Sequence, residues 1–599
     1  MHIADKRLAD HPPENVVLFR YMFDLLKKYT KDGLTAAILG PVFTVFEVIF
    51  DALIPLVMKD IIDTGIYELG GDMDYIVNKG LLMVGLALAA AVAGACSGLA
   101  SSISSTRFVR NIRRAMFEKI QTYSFENIEK YPVPTVVMRL TTDMRMLRMA
   151  YVSIVRMLIR APFNLIISAY FVYKINRKLS MIFLFAVPVL GTGLIFIYIK
   201  AHPRFRQMML QFDALDGNLE ENIEGIRVVK TFVREDYEKE KFERSSANVM
   251  KAQRFAEKIV IIDRPFFELV MYICMILIAW IGGRSVIAQT MTTGDFMAYL
   301  SYVKAILFAL LMISNVFLQV VMAQASVDRA NEILYEESKI TDTDNDPNLE
   351  VEDGSIEFKD VSFKYSDEAE KYVLSDVDLK IRSGEVIGIL GPTGSSKTTL
   401  VQLIPRLYDV STGEVLVGGR NVKEYKLDKL RDAVAMVLQK NTLFSGTIEE
   451  NMKWGNPEAT HEQIVEACKY AQANDFIMQM PKKYDTDLGQ GGVNVSGGQK
   501  QRLCIARALL KHPKIIILDD STSAVDTDTD HRIQLALKEK LGGMTTIIIA
   551  QRVASVKEAD RIIIMDNGKI ADIGNHEELL KRNEVYRDLY NTQMEGAME

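Results

Sequence analysis

The stretch EVIGILGPTGSSKTTL (385–400) decides the fold of the C-terminal part of this chain. Its first half, EVIGIL (385–390), has the length and apolar character of a buried strand. Its second half, GPTGSSKTTL (391–400), opens a helix, and a strand followed by a glycine-rich loop and a helix is the setting that phosphate binding requires. The alternative is a chance glycine-rich turn. The strand before the loop and the helix after it favour a phosphate-binding loop.

Each residue type in this loop has a physical role in holding a nucleotide. Lys397 is suited to neutralise the β- and γ-phosphates and Thr398 to place its hydroxyl on Mg²⁺, while Gly391 and Gly394 permit close backbone approach. Ser396 replaces the glycine that usually precedes such a lysine. This substitution narrows the loop but keeps the backbone N–H donor at that position. The predicted nucleotide-binding residues of the loop are Gly391, Pro392, Thr393, Gly394, Ser395, Ser396, Lys397, Thr398 and Thr399.

Two further motifs follow in the same part of the chain. The run IIILDD (515–520) predicts a buried strand that ends in two carboxylates, of which Asp519 is expected to steer Mg²⁺ and Asp520 to stand where water is polarised. The string VSGGQKQR (495–502) places a serine and two glycines at a helix N-terminus, where they form an anion-binding turn. SGGQ alone fits an ordinary loop, but its place between the phosphate loop and the acidic strand favours a nucleotide role.

The surrounding pattern divides the chain into two parts. After residue 355, short β-rich runs alternate with helical segments, as in a mostly parallel α/β sheet. Before it, ESKITDTDNDPNLEVEDG (337–354) has the composition of a linker. The predicted organisation is a cytosolic N-terminus with an interfacial helix (1–33), a transmembrane domain (34–337), a linker (338–355) and a nucleotide-binding domain (356–599).

Six apolar stretches precede the linker, and each is long enough to span a bilayer core of about 30 Å. They lie near residues 34–58, 79–106, 151–175, 179–200, 259–282 and 295–323. The predicted fold class is therefore multidomain, with an all-α six-helix transmembrane domain followed by a cytosolic α/β P-loop nucleotide-binding domain.

The distribution of basic residues orients the six spans. Lys and Arg number 6 in residues 1–33, 9 in 107–150 and 10 in 201–257, against 1 in 59–75, 3 in 174–178 and 1 in 283–293. Because basic loops stay in the cytosol, both termini are predicted to be cytosolic. The segments 107–150 and 201–257 are expected to extend the spans as cytosolic helices. VVLFRYMFDLLKKY (16–29) fits an interfacial helix on the inner leaflet or, alternatively, a soluble cap helix.

Composition narrows the possible partners. The chain has 599 residues, a net charge of −6 and 49% hydrophobic residues, which excludes the basic footprint of a nucleic-acid binder and indicates contact with a lipid bilayer. The four cysteines show no metal-ligand spacing and are interpreted as packing residues.

Together these motifs resemble the ATP-binding cassette (ABC) family, specifically exporter half-transporters with the membrane domain fused ahead of the nucleotide-binding domain. The resemblance covers about residues 20–590 and implies ATP and Mg²⁺ as cofactors. It also implies that Tyr365 of VSFKY stacks on adenine, that Gln439 senses Mg²⁺, and that Asp526 of STSAVD lies in a dimer-contact loop. The signature residues that it implies for ATP binding are Ser496, Gly497, Gly498 and Gln499.

In the membrane half, RLTTD (139–143) and EGIRVVKTFVRE (224–235) resemble the sequences beside the two short coupling helices of these exporters. The resemblance places those helices near residues 131–138 and 209–217.

Two catalytic positions depart from the family. Asp520 stands where a glutamate is usual and is one methylene shorter, and Gln551 stands where a histidine is usual and cannot carry a proton. With Ser396, these changes predict a site that binds ATP but hydrolyses it poorly.

Because in this family each ATP lies between one chain's phosphate loop and the other chain's signature, the intact signature implies a partner. We expect a heterodimer with a related half-transporter that has an intact ATP site, where most of the hydrolysis takes place. A homodimer that tolerates slow hydrolysis is the alternative.

Four charged residues lie within the predicted spans: Glu47 and Asp51 in the first, Arg156 and Arg160 in the third. Such charges are costly in a bilayer and normally face a water-filled or protein-lined interior, so a substrate path is the first hypothesis. An interhelical ion pair or snorkelling to the headgroups is the structural alternative.

The resemblance predicts ATP-driven export of small amphipathic or drug-like compounds by alternating access, in a prokaryotic cell membrane. Export of a lipid or a peptide is an alternative within the transporter class. A nucleotide-sensing regulatory subunit that moves nothing itself is an alternative from another class.

Overall fold

The computed structural model describes residues 24–342, 345–366, 369–520, 526–540 and 542–595. The chain forms two compact units, of which the first comprises Met1–Gln121 and Val133–Glu336 and the second comprises Thr122–Pro132 and Glu337–Glu599. The predicted interfacial helix over 16–29 lies mostly outside the described residues, of which 24–29 are helical.

Long helices build the first unit. In chain order the helices up to residue 335 are α1 (Leu34–Asp60), α2 (Met73–Gln121), α3 (Phe125–Lys130), α4 (Val133–Met138), α5 (Met144–Val152), α6 (Leu158–Ile175), α7 (Arg177–Glu224), α8 (Ile226–Thr231), α9 (Glu235–Ile287) and α10 (Thr293–Tyr335). Of these, α3 belongs to the second unit. A 3₁₀ turn, Lys31–Gly33, precedes α1, and three π-helical segments continue or join the helices: Ile61–Glu68, Arg139–Asp143 and Ser153–Met157.

Six helical stretches of the described chain are long and apolar enough to cross a membrane. They are Lys31–Glu68, Met73–Gln121, Val133–Ile175, Arg177–Glu224, Glu235–Ile287 and Thr293–Tyr335. Each contains one of the six spans predicted from the sequence, which confirms the six-helix transmembrane domain. Helix α9 has 53 residues, so it is roughly 80 Å long and extends well beyond a bilayer core.

Small residues line the contact between α1 and α2. The hydroxyls of Thr44 and Ser97 share a hydrogen bond of 2.6 Å, and a Cβ added to Gly40 would lie 3.0 Å from Ser101 Oγ. Small side chains let helix backbones approach closely. Lipid solvates apolar side chains as well as another helix does, so close packing and polar contacts, rather than the hydrophobic effect, hold the two helices together. A separate apolar core contains Tyr302, whose hydroxyl donates to the Ala52 carbonyl at 2.6 Å.

The structure bears differently on the two short helices that the resemblance places near 131–138 and 209–217. A short helix, α4, does lie at Val133–Met138, and it continues through a π-helical segment to α5, whereas 209–217 lies inside the long helix α7. Two further short helices are α3, which precedes α4, and α8, which lies between α7 and α9. Helix α3 begins after Ser124, whose N–H donates to Asn127 Oδ1 at 3.2 Å, and α8 is separated from α7 by Gly225, which leaves the helical conformation. Local capping therefore sets these boundaries.

Two sheets form the second unit, one of four strands in the order β2-β1-β4-β5 and one of six in the order β10-β9-β3-β8-β7-β6. The strands are β1 (Ile356–Phe363), β2 (Leu374–Ile381), β3 (Val386–Leu390), β4 (Thr412–Val417), β5 (Arg420–Asn421), β6 (Val434–Val437), β7 (Ile515–Asp519), β8 (Thr545–Ile549), β9 (Arg561–Asp566) and β10 (Lys569–Gly574). The α-helices are α11 (Lys397–Gln402), α12 (Leu427–Ala433), α13 (Ile448–Met452), α14 (His461–Tyr470), α15 (Asn474–Gln479), α16 (Gly497–Leu509), α17 (Thr527–Lys540), α18 (His576–Arg582) and α19 (Glu584–Glu595). Short 3₁₀ turns occur at Lys483–Asp485, Gln490–Gly492 and Val553–Ser555.

The six-stranded sheet positions the predicted site. Strand β3 pairs in parallel with β8 and β9, and β7 pairs in parallel with β6 and β8. Every residue of β7 and β8 is buried, as expected for strands covered on both faces. The carboxyl ends of parallel strands meet at one edge of a sheet. The phosphate loop after β3, the carboxylates at the end of β7 and Gln551 after β8 therefore come together, and the α/β prediction is confirmed.

Candidate nucleotide site

The phosphate loop has a backbone conformation that residues other than glycine rarely adopt. Gly391 has φ +157°, and a Cβ there would lie 2.2 Å from the Met565 carbonyl oxygen. Gly394 has φ +86°, and Ser396, the residue that departs from the usual glycine, has φ +71°. A non-glycine residue in the left-handed region costs roughly 1–2 kcal/mol. The loop therefore keeps the glycine-type conformation at Ser396 at an energetic cost.

Lys397 begins α11 with its ammonium group folded over the loop. Its Nζ donates to the carbonyl oxygens of Gly391 (2.9 Å) and Pro392 (2.8 Å) and lies 3.3 Å from Ser395 Oγ. Burial lowers the pKa of this lysine, while the nearby carboxylates of Asp520 and Asp519 raise it. Pro392, Thr393 and Gly394 are exposed at the tip of the loop. This arrangement presents backbone N–H groups and one cation at a helix N-terminus, which is what phosphate binding requires.

Thr398 and Asp519 form the part of the site that fits a divalent cation. The Thr398 hydroxyl donates to Asp519 Oδ1 at 2.9 Å. Asp519 is 1% exposed, and its Oδ2 is buried without a hydrogen-bond partner among the described residues. Burial raises the pKa of Asp519, and the Thr398 hydrogen bond opposes that rise. Hard oxygen donors are the ligands that Mg²⁺ prefers, so this pair fits the metal expected from the sequence.

Two side-chain amides meet the second carboxylate, Asp520. Gln551 Nε2 donates to Asp520 Oδ2 at 2.9 Å, and Gln439 Nε2 reaches the same oxygen at 3.5 Å. Burial raises the pKa of Asp520, and these two amides lower it. The sequence proposed both Asp520 and Gln551 as departures from the family. The structure adds that the two side chains contact each other.

Tyr365 lies in an aromatic cluster beside the phosphate-loop helix. Its hydroxyl shares a hydrogen bond of 2.9 Å with Thr399 Oγ1, and its ring packs edge-on against Tyr408 and Phe363 with centroids 5.2 and 4.9 Å apart. The Tyr365 side chain is 40% exposed. The Tyr365 ring is therefore accessible to a planar ligand, and the rings of Tyr408 and Phe363 fix its orientation.

Tyr408 is a residue of this region that the sequence did not reveal. Its hydroxyl donates to Glu129 Oε1 at 2.7 Å, and its ring packs against Phe125 at 6.1 Å between centroids. Both partners belong to α3, which lies in the second unit with the site. The sequence carries no local signal for this contact, because the two segments are almost 280 positions apart.

The signature residues stand at the start of α16. The Ser496 N–H donates to Gln499 Oε1 at 2.9 Å and the Gln499 N–H to Ser496 Oγ at 3.4 Å, which forms a capping box. Ser496 and Gly497 are exposed. Within the described residues no hydrogen bond joins Ser496, Gly497, Gly498 or Gln499 to the phosphate loop. Asp526 accepts from the Thr529 N–H at 3.0 Å, and residues 521–525 of its motif lie outside the described residues.

The charged residues of the spans form an interhelical ion-pair cluster in the first unit. Arg160 lies 2.9 Å from Glu47 Oε1 and 3.4 Å from Asp51 Oδ2, and Arg156 lies 3.9 Å from Glu47 Oε2. Arg156 also donates to the Gly94 carbonyl at 3.3 Å. This is the structural alternative raised from the sequence, and a role in the substrate path stays a prediction.

The RLTTD segment holds a second buried charge cluster that sequence reasoning did not find. Asp143 is 2% exposed and accepts from Arg329 Nε at 2.8 Å and from Ser326 Oγ at 2.8 Å. Arg139 pairs with Glu332 at 2.7 Å. Residues at positions 326, 329 and 332 of α10 share a helix face, and that spacing is the signal that could have found them.

Comparisons with known proteins agree with this architecture. Residues 37–311 match the family described as ABC transporter transmembrane region, and residues 374–523 match the family described as ABC transporter. The structure is similar to that of a bacterial Atm1-family ABC exporter with ATP bound, with a TM-score of 0.78, 23% identity and coverage of 95% of this chain and 99% of that one.

Three bacterial relatives illustrate the range of similar proteins. An uncharacterized ABC transporter ATP-binding protein, YfiB of Bacillus subtilis, is 33% identical over 91% of this chain and 94% of its own length. An ATP-dependent lipid A-core flippase of Desulfotalea psychrophila is 35% identical over 81% and 84%. A putative multidrug export ATP-binding/permease protein, YgaD of Bacillus subtilis, is 32% identical over 82% and 84%.

Proposed function

The chain belongs to the ABC transporters, and from that premise we propose that it is one subunit of a heterodimeric exporter whose own site binds MgATP but hydrolyses it slowly. The chain is an exporter half-transporter of the prokaryotic cell membrane, with six spans and an ATP-binding domain. We propose in addition how ATP binding and ATP hydrolysis are divided between this chain and a partner.

One observation carries the proposal, namely the hydrogen bond between Gln551 Nε2 and Asp520 Oδ2. A general base must reach the water that it activates, and it must be free to accept a proton. Asp520 is short by one methylene and is held by an amide. Gln551 cannot take up a proton itself, so neither group can move one efficiently.

The other residues of the site support nucleotide binding. Lys397 and the loop N–H groups bind phosphate oxygens, Tyr365 offers its ring to adenine, and Thr398 with Asp519 holds Mg²⁺. The metal, when bound, neutralises charge on the β- and γ-phosphates. Gln439 Nε2 lies 3.5 Å from the neighbouring carboxylate oxygen, Asp520 Oδ2. The site therefore keeps the groups that bind MgATP, whereas the two groups that would transfer a proton during hydrolysis, Asp520 and Gln551, are poorly suited to do so.

A partner chain is supported by two features of the second unit. The signature turn at Ser496 is complete but exposed, so it is available to complete a nucleotide site on another chain. Phe444 and Trp454 stack at 4.2 Å between centroids and are 44% and 65% exposed, and aromatic residues are enriched at protein interfaces relative to the rest of the surface. The partner would be a related half-transporter with an intact ATP site.

The proposed transport cycle is alternating access, in which ATP brings the two nucleotide-binding domains together and hydrolysis at the partner's site resets them. We propose small amphipathic or drug-like compounds as substrate, supported by the similarity to a putative multidrug export protein. A lipid is the second candidate, supported by the similarity to lipid A-core flippases. Transport of cationic dyes and of labelled lipid in vesicles separates the two.

Co-purification from the native membrane tests the pairing. A tagged chain is expected to bring down a second half-transporter with glutamate and histidine at the two altered positions. After turnover, labelled nucleotide should remain on this chain's phosphate loop. A homodimer that hydrolyses ATP rapidly, or a site emptied in each cycle, would overturn the proposal. A regulatory subunit would instead keep transport intact when Glu47 and Asp51 are replaced by alanine.

A further inference from the structure

The C-terminal helix α19 reaches the segment that carries Gln551. Gln593 uses both ends of its side-chain amide there: its Nε2 donates to the Gln551 carbonyl at 3.0 Å, and its Oε1 accepts from the Val553 N–H at 2.8 Å. The two bonds straddle Arg552. A single side chain thus fixes the backbone on both sides of a turn, and the pairing also fixes which end of the amide is the donor.

Helix α19 is itself firmly anchored, so this contact has a rigid base. Tyr586 is 1% exposed, and its hydroxyl lies 2.6 Å from His576 Nδ1. Tyr590 packs against the same His576 ring with centroids 5.2 Å apart. Positions 586, 590 and 593 share one face of a helix. The helix face whose tyrosines pack against the domain therefore also carries the Gln593 amide that bonds to the Gln551 segment.

The segment is held from its far side as well. Ser555 Oγ donates to the buried carboxylate of Asp530 at 2.7 Å, and Gln534 donates to the Ser555 carbonyl at 2.8 Å. Before the segment, the Ala550 N–H donates to the Ile389 carbonyl of β3 at 3.2 Å. Between these ends, the Gln593 side chain forms hydrogen bonds with the backbone of both Gln551 and Val553. Its loss would remove the bond to the carbonyl of Gln551, the residue that contacts Asp520.

We propose that Gln593 is a positioning residue for the nucleotide site: it holds the Gln551 backbone so that the Gln551 amide points at Asp520 and at a bound phosphate. Helix α19 thereby acts on the site without touching nucleotide. This inference rests on the proposed function, in which the site binds ATP and hydrolyses it slowly, and it adds that the Gln551 amide helps to retain ATP by donating to a bound phosphate. It makes the dwell time of ATP on this chain depend on a residue in the last helix.

The test measures release of radiolabelled ATP from the full-length chain in nanodiscs, together with any co-purified partner. Gln593→Ala is expected to speed release about tenfold, because it removes two hydrogen bonds that order the segment. Asn591→Ala, an exposed amide residue on the same helix, is the matched control and should release ATP at the wild-type rate. Melting temperatures of all variants check that the domain remains folded.

A double-mutant cycle distinguishes positioning from general stabilisation. If Gln593 acts through Gln551, Gln593→Ala should have no further effect on release in a Gln551→Ala background. An equal effect in both backgrounds, or a Gln593→Ala rate equal to that of Asn591→Ala, would overturn the inference. If Gln551→Ala alone left release unchanged, the proposed retention role of Gln551 would fail instead, and the two failures are therefore distinguishable.

Discussion

Restoring the two altered catalytic positions should turn this chain's site into an efficient ATPase. Asp520→Glu extends the carboxylate by one methylene, about 1.5 Å. A misplacement of about 1 Å can cost on the order of 10²-fold in rate. The single substitution should therefore raise hydrolysis by at least about 10²-fold, equivalent to ~2.7 kcal/mol of barrier. Gln551→His also replaces the amide that now engages Asp520 Oδ2 at 2.9 Å.

The double variant should exceed either single one, because a base that can move a proton contributes about 10²- to 10⁴-fold. The assay is single-turnover hydrolysis of labelled ATP by the full-length chain in nanodiscs, in the presence of its partner where one co-purifies. Asp588→Glu, an exposed aspartate of α19, is the control for a general effect of lengthening an acid. Lys397→Ala should abolish the signal by removing phosphate binding.

Two results would refute the reasoning. One is a wild-type chain that already hydrolyses ATP as fast as the double variant when no partner is present. The other is a double variant that binds ATP normally but gains nothing in rate. In either case, the length of the carboxylate and the neutrality of the amide would not limit catalysis.

Arg160→Ala should destabilise the first unit by on the order of 3 kcal/mol, because it leaves the buried Glu47 carboxylate without its nearest cation. If Arg160→Ala melts in detergent at the same temperature as the wild type and as Arg160→Lys, this prediction is contradicted. Tyr408→Phe keeps the ring but removes the hydrogen bond to Glu129, so amide exchange in α3 should become about tenfold faster, and unchanged exchange would rule out a holding role for the hydroxyl. Burial lowers the pKa of His576 below its ordinary value of 6.5, so the unfolded chain binds the proton more readily and stability should fall as the pH drops below about 6.5. Denaturant melts at pH 5.5 and 7.5 should show this loss in wild type and less of it in His576→Asn, and equal pH dependence in both would count against it.

Much of the fold could be predicted from the sequence because its signals are local. A transmembrane helix needs about 20 consecutive apolar residues, and that requirement is visible in the chain without knowing any contact. The phosphate loop is equally local, since strand, loop and helix are contiguous from Glu385 to Leu400. The same reasoning located Asp519 and Asp520 at the end of a buried strand. Six spans followed by an α/β nucleotide-binding domain were thus predictable.

The contacts that define the site required the tertiary structure, because they join residues far apart in the chain. Gln551 meets Asp520 only because β8 lies beside β7 in parallel. Two other contacts depend in the same way on where distant helices pack: the hydrogen bond of Tyr408 to Glu129 and the two hydrogen bonds of Gln593 to the Gln551 segment. The resemblance misplaced the short helix near 209–217, which lies inside α7, because Gly225 interrupts the helix only later in the chain.

Sequence by itself determined which chemical groups this protein possesses: a phosphate loop, two carboxylates, a glutamine in place of a histidine, and four charged residues within the predicted spans. Tertiary structure decided which of those groups touch. It turned the membrane charges into an ion-pair cluster around Glu47 and Arg160 and brought the Gln551 amide within 2.9 Å of the Asp520 carboxylate. The physical reason is that residue identity is fixed by the chain, whereas hydrogen bonds and ion pairs depend on distances of a few ångströms that only packing sets.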